Sequence, residues 1–484
     1  MSQENYPHYY PTTNSIHTII STYKDIDNGT HLHDKIESVI GRIMLARPSS
    51  KKLVFYTLAI DGKNIQIMSN ISSYKSEDDF YSIHCVLKRG DIIGVTGFIA
   101  KTKVGELSII PSDITLLTPC MTVIPSSHYG IEDKEIRYSN RPLDMIVNPL
   151  VQPIFRKRSK MIHYIRNYLY DREFLEVETP MMSGLAGGAS AKPFTTYHNE
   201  MKMSMFLRIA PELYLKQCII GGMAKVFEIG KQFRNEGIDS THNPEFTSIE
   251  LYEVGADYNS LMVMTQDLLR KIAIEVNGTT IVTWKDHTID LGQQFTSWDV
   301  MDKLEELLRV ELGETFTLPS LDSPNLESEY KMLIDKVSLK MTPPYTINRM
   351  MDKLIGHYVE PLCIQPTFLI NHPQIMSPLA KSHRSLPNKT ERFELFIGSM
   401  EYVNSYTELN DPIKQKNIFE EVQKQKTNGD DEIPPSDDKF ITALEIGLPP
   451  TGGWGMGIDR LCMLLTGNDS IREVILFPTQ RFIK

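Results

Sequence analysis

The sequence predicts an α+β protein in two folded parts. A five-stranded β-barrel lies near the N-terminus, and a larger domain is built on an antiparallel sheet flanked by helices. Three observations predict this. Residues 38–119 run as consecutive short stretches that alternate or are rich in β-branched residues, with turn residues between them. An apolar stripe at helical spacing starts near residue 152. Residues 205–480 then mix helix and strand patterns without the regular strand–helix alternation of a parallel sheet.

Residues 1–37 read as an N-terminal extension without a basic n-region or an Arg-rich amphipathic pattern, so no signal or transit peptide is expected. In 38–120 the stretches SVIGRIMLA, KLVFYTLAI, KNIQIMS, DIIGVTGFIA and ELSIIPSDITLL are separated by turn residues, and a helical stretch ending at Gly90 falls between the third and fourth. That order is the pattern of an oligonucleotide-binding barrel, although an unrelated small barrel would share it. Residues 121–150 are weakly periodic and read as a linker. From 151 to 484 the chain reads as one domain. It opens with a helix whose stripe is Ile154, Met161, Ile162, Ile165 and Leu169, followed by a strand closed by Pro180. Residues 296–345 read as a helical insertion, and the polar stretch 425–438 as a mobile loop.

Composition narrows the function classes. The chain of 484 residues is 41% hydrophobic and 23% charged, without repeats, and no apolar run is long enough to span a bilayer, so no membrane partner is expected. Five scattered cysteines with no C-x-x-C argue against zinc sites and disulfides and for reduced thiols in the cytoplasm. Net charge is −10, yet residues 41–120 hold ten Lys or Arg against seven Asp or Glu, which puts that segment near +3 and the remainder near −13. Basic clusters recur at Arg47/Lys51/Lys52, Lys88/Arg89, Lys101/Lys103 and Arg156/Lys157/Arg158/Lys160. A locally basic module on an acidic body suits a polyanion that touches part of the protein, and a solvated surface equally.

The chemistry concentrates in four stretches. In FRNEGIDSTHNPEFTSIELY (233–252) Arg234 and Glu236 sit at the lip of a hairpin. Its return strand carries Phe246, Ser248, Glu250 and Tyr252 at every second position, and therefore on one face. Such a face stacks a base, grips an anion and receives a cation, or is simply a solvated hairpin. LRIAPELYLKQ places Glu212 in the first turn of a helix opened by Pro211, where an acid also serves as a plain dipole partner. ERFELFIGSMEYVNSYTELND puts Asn404, Tyr406 and Glu408 on one strand face, with Glu394 and Glu401 as hard oxygen ligands for Mg²⁺. Glu401 has the opposite parity, so a bulge near 402–403 is required. GLPPTGGWGMGIDRLCMLL runs a Gly-rich strand into a helix with Arg460 in its first turn, and fits neither the Walker A nor the G-x-G-x-x-G pattern.

Together these stretches resemble the three signature motifs of class II aminoacyl-tRNA synthetases: REFLEVETPMM with Pro180, FRNEGIDSTHNPEF, and GWGMGIDR. The likeness is closest to the lysyl-tRNA synthetases, covers roughly residues 30–484, and extends to GGASAKPF, RIAPELY, HPQIMSPLAK and NSYTELNDP. It implies an oligonucleotide-binding barrel joined to a class II catalytic domain, and an ATP-dependent ligase that charges lysine tRNA. Arg234 would hold the amino-acid carboxylate and the α-phosphate. Glu236 and His242 would contact ATP, Phe246 would stack on adenine, and Arg460 would hold its other face or the γ-phosphate. Glu394 and Glu401 would bind Mg²⁺. Gly188, Glu212, Asn404, Tyr406 and Gly455 would line the amino-acid site, with Glu212 at the α-ammonium. Glu250, Tyr252 and Glu408 would meet the side-chain ammonium. A pocket for aspartate would need Arg or Lys there, and neither SIELYEV nor YTELND supplies one. Arg47, Phe55, Gln66 and Glu106 fall where the family reads its anticodon, with Phe55 as a core residue the competing reading. A homodimer through the first motif is also implied. The rivals are a class II ligase for another amino acid and a catalytically inactive RNA-binding paralogue. The presence of Arg234, Arg460, Glu394 and Glu401 speaks against the second.

Overall fold

The computed structural model describes residues 6–480 except 75, 126–129, 185, 186, 190 and 428–436. Most of the expected loop at 425–438 therefore lies outside the described residues. The chain divides into two compact units, Met1–Pro153 and Ile154–Lys484.

In the first unit α1 (Ile16–Tyr23) precedes β1 (His31–Ser50), β2 (Leu53–Ile60), β3 (Lys63–Asn70), α2 (Glu77–His84), β4 (Ile92–Lys101) and β5 (Leu107–Thr118). The strands close in the order β1-β2-β3-β5-β4. Alternation decides the faces: Val54, Tyr56 and Leu58 are buried in the barrel, while Leu53, Phe55 and Thr57 between them are only partly covered. The segment read as an extension contributes to this core. Ser15 caps α1 through Thr18 N, and Ile16 and Ile19 are buried in the barrel's apolar cluster.

The stretch read as a linker holds two short helices, α3 (Lys134–Ser139) and α4 (Arg141–Val147). Asp144, buried, accepts hydrogen bonds from Arg137 Nε (2.9 Å) and Arg141 Nη1 (2.7 Å). Six and seven residues are too few for a 3.6-residue repeat to become visible in sequence.

The second unit is entered within α5 (Val151–Tyr170), followed by β6 (Leu175–Glu176) and a small sheet of β7 (Met182–Ser183), β8 (Thr195–His198) and β9 (Met203–Leu207). Next come α6 (Glu212–Ile220), the hairpin β10 (Lys225–Phe233) and β11 (Glu245–Val254), and α7 (Tyr258–Asn277). The pair β12 (Ile281–Trp284) and β13 (His287–Asp290) leads to β14 (Thr296–Asp299). The helices α8 (Val300–Leu312), α9 (Leu326–Lys336) and α10 (Ile347–Tyr358) follow. The chain closes with β15 (Thr367–Ile370), β16 (Arg392–Ile397), β17 (Met400–Thr407), α11 (Pro412–Thr427), α12 (Asp438–Gly447), β18 (Thr451–Gly457), α13 (Ile458–Thr466) and α14 (Ile471–Val474).

Eight strands form one sheet in the order β14-β15-β16-β17-β18-β11-β10-β6. It is antiparallel except for β14 on β15 and β6 on β10. The helical insertion is thus shorter at its start than expected, because residues 296–299 are an edge strand of this sheet. Its helices carry their own core of Leu304, Leu308, Tyr330, Met350, Met351 and Leu354. One face of the sheet is apolar: Ile249, Leu251, Val403, Trp454 and Met456 pack with Leu268, Leu269 and Ile272 of α7 and Leu461 of α13. Each strand's intervening residues face the other way, which leaves that second face for chemistry.

Candidate active site

The open face of the sheet is the floor of a cavity of about 670 Å³. Its register brings the sequence-separated motifs into two rows. In one row Glu394 pairs with Asn404, Asn404 with Gly455, Gly455 with Glu250, and Glu250 with Glu228. In the next, Arg392 pairs with Tyr406, Tyr406 with Gly453, and Gly453 with Tyr252. The central strand of both rows is glycine, and that absence of side chains is what opens the floor. A Cβ on Gly453 would overlap the Glu408 carboxylate, and one on Gly455 would stand 3.4 Å from Glu250 Cγ.

The parity of Glu401 is resolved by an irregularity in β16–β17. Leu395 pairs with Val403 and Phe396 with Glu401, so Tyr402 is unmatched and Glu401 turns towards the cavity wall that holds Glu394. Arg392 Nη2 donates to Glu394 Oε1 (2.5 Å), and His372 Nε2 stands 3.3 Å from Glu394 Oε2. Against the cost of burial, these two neighbours hold Glu394 ionised well below the carboxylate range. Burial pushes Glu401 upward, reinforced by the charge of Glu394, while Arg460 opposes the rise. Two carboxylates under that mutual strain, with cavity beside them, fit a divalent cation whose remaining ligands come from phosphate oxygens. Among the described residues no cluster of three or more His, Cys, Asp or Glu has metal-binding geometry.

Around the anion end, Arg234 follows β10, its backbone N–H bonded to Pro244 O (2.9 Å), and its guanidinium lies 5.1 Å from the Phe246 ring centroid. Burial lowers the Arg234 pKa, while Glu236, Glu401 and Glu250 oppose that, and the group stays cationic. Arg460 reaches Glu401 O (2.7 Å) and Glu401 Oε2 (3.3 Å), and its Nη2 is 3.3 Å from His242 Nε2. Asp459 beside it is buried, accepts from Thr247 N (2.6 Å) and pairs with Arg158 of α5 (2.5 Å). Arg158, read from sequence within a basic cluster, therefore ties α5, β11 and α13 together. His242, Glu236 and Phe246 all line the cavity.

At the other end Glu212, Glu250, Glu408, Tyr252 and Tyr406 converge. Tyr406 OH donates to Glu212 Oε1 (2.6 Å) and Tyr252 OH to Glu250 Oε2 (3.2 Å). Burial raises Glu250 to about 8, with Glu212 adding to the rise and Tyr252 and Arg234 opposing it. Gly188 stands against Glu212 with φ +87°, where a Cβ would lie 3.2 Å from Glu212 Cβ. The sequence reading missed a cation here. Lys216 on α6, four residues after Glu212, is completely buried, bonds Glu212 Oε1 (2.6 Å) and pairs with Glu408. The basic residue that neither motif strand supplies is thus present on the helix behind them, already matched to two carboxylates. Arg392, His372 and Glu360 were also missed. Glu360, pushed up to about 7 by burial and by Glu394 and other nearby acids, reaches the cavity from the segment after α10, where no motif marks it.

In the barrel, Arg47 and Phe55 are directly paired on β1 and β2, and Gln66 on β3 shares their outward face through Thr57. Gln66 Nε2 donates to Ser108 Oγ (2.9 Å), and Glu106 is exposed in the turn before β5.

Residues 133–481 match the family model described as tRNA synthetases class II (D, K and N), and residues 38–117 match that of the OB-fold nucleic acid binding domain. Curated proteins similar over nearly the whole chain include lysine–tRNA ligase cla4 of Cladosporium cladosporioides. It is 47% identical over 98% of this chain and 81% of its own length. The probable cytoplasmic lysine–tRNA ligase of Encephalitozoon cuniculi is 43% identical over 98% of this chain and 93% of its own length. The chain belongs to the class II lysine–tRNA ligases. The lysine–tRNA ligase of Gloeobacter violaceus, 41% identical over 99% of this chain and 95% of its own, shows that this family reaches into bacteria. Members of the family act on an amino acid, ATP and tRNA.

Proposed function

We propose that the cavity performs the lysine–tRNA ligase reaction by the following division of labour. A lysine carboxylate oxygen attacks the α-phosphorus of ATP, the bond from that phosphorus to the β-phosphate bridging oxygen breaks, and pyrophosphate leaves with the electron pair. The terminal ribose hydroxyl of tRNA then attacks the lysyl carbonyl carbon, and AMP leaves. Arg234 holds the carboxylate and the α-phosphate, where negative charge grows during in-line attack. Phe246 stacks on adenine, Glu236 and His242 contact ATP, and Arg460 closes over its other side. Mg²⁺ held by Glu394 and Glu401 would neutralise phosphate charge. Glu212, Asn404, Tyr406, Gly188 and Gly455 form the amino-acid wall, with Glu212 at the α-ammonium. Glu250, Tyr252 and Glu408 meet the ε-ammonium.

The observation that carries this reading is the cross-strand row of Glu394, Asn404, Gly455 and Glu250, which sets the phosphate-side acids and the amino-acid-side acids on one glycine floor. An inactive RNA-binding paralogue has no use for such a floor. The barrel would read the anticodon with Arg47, Phe55, Gln66 and Glu106. A homodimer through the first motif is supported by the exposed apolar side chains Tyr170, Leu175, Met181 and Met182 around it. Cytoplasmic residence is supported by free thiols and by the names of two relatives, and no described helix is long and apolar enough to cross a membrane. The test is ATP–pyrophosphate exchange with every standard amino acid. Exchange with lysine alone is expected, and stronger exchange with asparagine or aspartate would overturn the substrate assignment.

A further inference from the structure

Lys216 belongs to no role described above, yet it is among the largest fully buried side chains in the molecule. Burial works against its charge, but Glu212 and Glu408 raise its pKa above the ordinary lysine value, so it is held as an ammonium. It stands one helical turn from Glu212 on α6 and meets Glu408 just beyond β17. Its ammonium also lies 5.6 Å from the ring centroids of Tyr406 and of Phe440. The Glu250–Tyr252 pair faces the same corner, with Glu228 across the hairpin from Glu250 adding to its rise and Arg234 opposing it. Lys216 itself lies behind the cavity wall, out of a ligand's reach, whereas Glu212, Glu250 and Glu408 line it.

We infer that Lys216 is a specificity-determining positioning residue of the amino-acid pocket, a resident counter-cation whose buried ion pairs hold the Glu212 and Glu408 carboxylates in place and aimed at the two ammonium groups of the substrate. The charge count supports it. Once substrate binding has driven the proton off Glu250, three carboxylates and one resident ammonium leave two negative charges, which a lysine substrate meets with its α- and ε-ammonium groups. Burial already pushes Glu408 well above the ordinary carboxylate value and Lys216 opposes that rise, so without Lys216 protonation rather than substrate relieves the crowded acids. A protonated acid receives a cation poorly and a neutral side chain well. The identity of Lys216 therefore controls how strongly the pocket prefers lysine over an uncharged analogue of the same length. This rests on the assignment of Glu212 and Glu408 to the amino acid.

The experiment compares Lys216→Met, Glu408→Gln and the double variant in ATP–pyrophosphate exchange. Methionine preserves the side chain's length and removes its charge. Lys216→Met is expected to raise the lysine KM about tenfold or more and to leave the ATP KM within about twofold. Its preference for lysine over norleucine should fall, and the pH at which the lysine KM levels off should move upward. Because the double variant removes the cation together with one acid, it should fold even where Lys216→Met does not. Its lysine KM should lie well below the product of the two single effects, since only the Glu212 contact of Lys216 remains to be lost. A lysine KM and pH profile unchanged in folded Lys216→Met overturns the inference. So do single-variant effects that simply multiply in the double, or equal rises in both KM values, since either marks a space-filling role. If Glu408→Gln alone leaves the lysine KM unchanged, the pocket assignment fails instead, which separates the two failures.

Discussion

At the scale of single residues, the cavity is a set of groups whose charges are unfinished without ligands. Arg234 is the plainest case. Its guanidinium is mostly buried beside Phe246 and faces the acids Glu236, Glu401 and Glu250 without a direct ion pair to any of them. Arg234→Ala is expected to lose at least about 10²–10³ of the pyrophosphate-exchange rate, since a fixed charge at the developing oxyanion is worth that much. Near-normal exchange in the variant would remove Arg234 from the mechanism. Glu250 carries a pH prediction. Its carboxyl titrates near 8 in the folded protein against about 4.5 as a free side chain. The folded state therefore binds more protons than the unfolded chain between those values, and this group's contribution to stability falls as pH rises from 4.5 to 8. A substrate ammonium reverses the preference. Lysine affinity should rise as pH climbs towards 8 and level off above it, with a proton released on binding. Calorimetry in buffers of different ionisation enthalpy measures that proton, and its absence at pH 7 would contradict a Glu250–ammonium contact.

At the scale of elements, strand β18 organises the site by what it lacks. Gly453 and Gly455 face the ligand side, while Trp454 and Met456 face the core, and Trp454 Nε1 donates to Thr265 Oγ1 (2.8 Å) of α7. Gly453→Ala is expected to displace Glu408 and raise the lysine KM about tenfold or more, with a smaller change in ATP KM. A lysine KM within about twofold of the parent would show that the floor tolerates a methyl group. The same strand explains how much was legible in the sequence. Period-two alternation separates Ile249 and Leu251 from Ser248, Glu250 and Tyr252 without any structure, and parity alone demands the irregularity at Tyr402. What stayed hidden needed packing or register that period-two alternation does not give. Lys216 looks like an ordinary helix residue until α6 packs against β10 and β11 and brings it to Glu408. Glu360 arrives from the segment after α10, and Arg392 needs the β16–β17 register to meet Glu394 and Asn404. The helices α3 and α4, too short for periodicity, were hidden for a simpler reason.

At the scale of the whole molecule, the two compact units divide the proposed work, because every group in the catalytic cavity lies beyond Pro180 and the residues proposed to read RNA lie in the barrel. Phe55 tests that division. The barrel core takes Val54, Tyr56 and Leu58 from the same strand, so Phe55 points outward beside Arg47 and is only partly covered. A partly exposed aromatic among an arginine and an amide on one strand face is suited to stacking an unpaired base. Its loss would remove roughly 1–3 kcal/mol of stacking, or about 5- to 150-fold in tRNA affinity. Phe55→Ala is therefore expected to raise the tRNA concentration needed for charging while lysine-dependent pyrophosphate exchange stays at the parental rate. Its melting temperature should change little, since the inward-facing residues are untouched. A folded Phe55→Ala protein that charges lysine tRNA normally would end the stacking role. A variant that loses thermal stability, with charging falling only in step with its folded fraction, would place Phe55 among the barrel's packing residues instead.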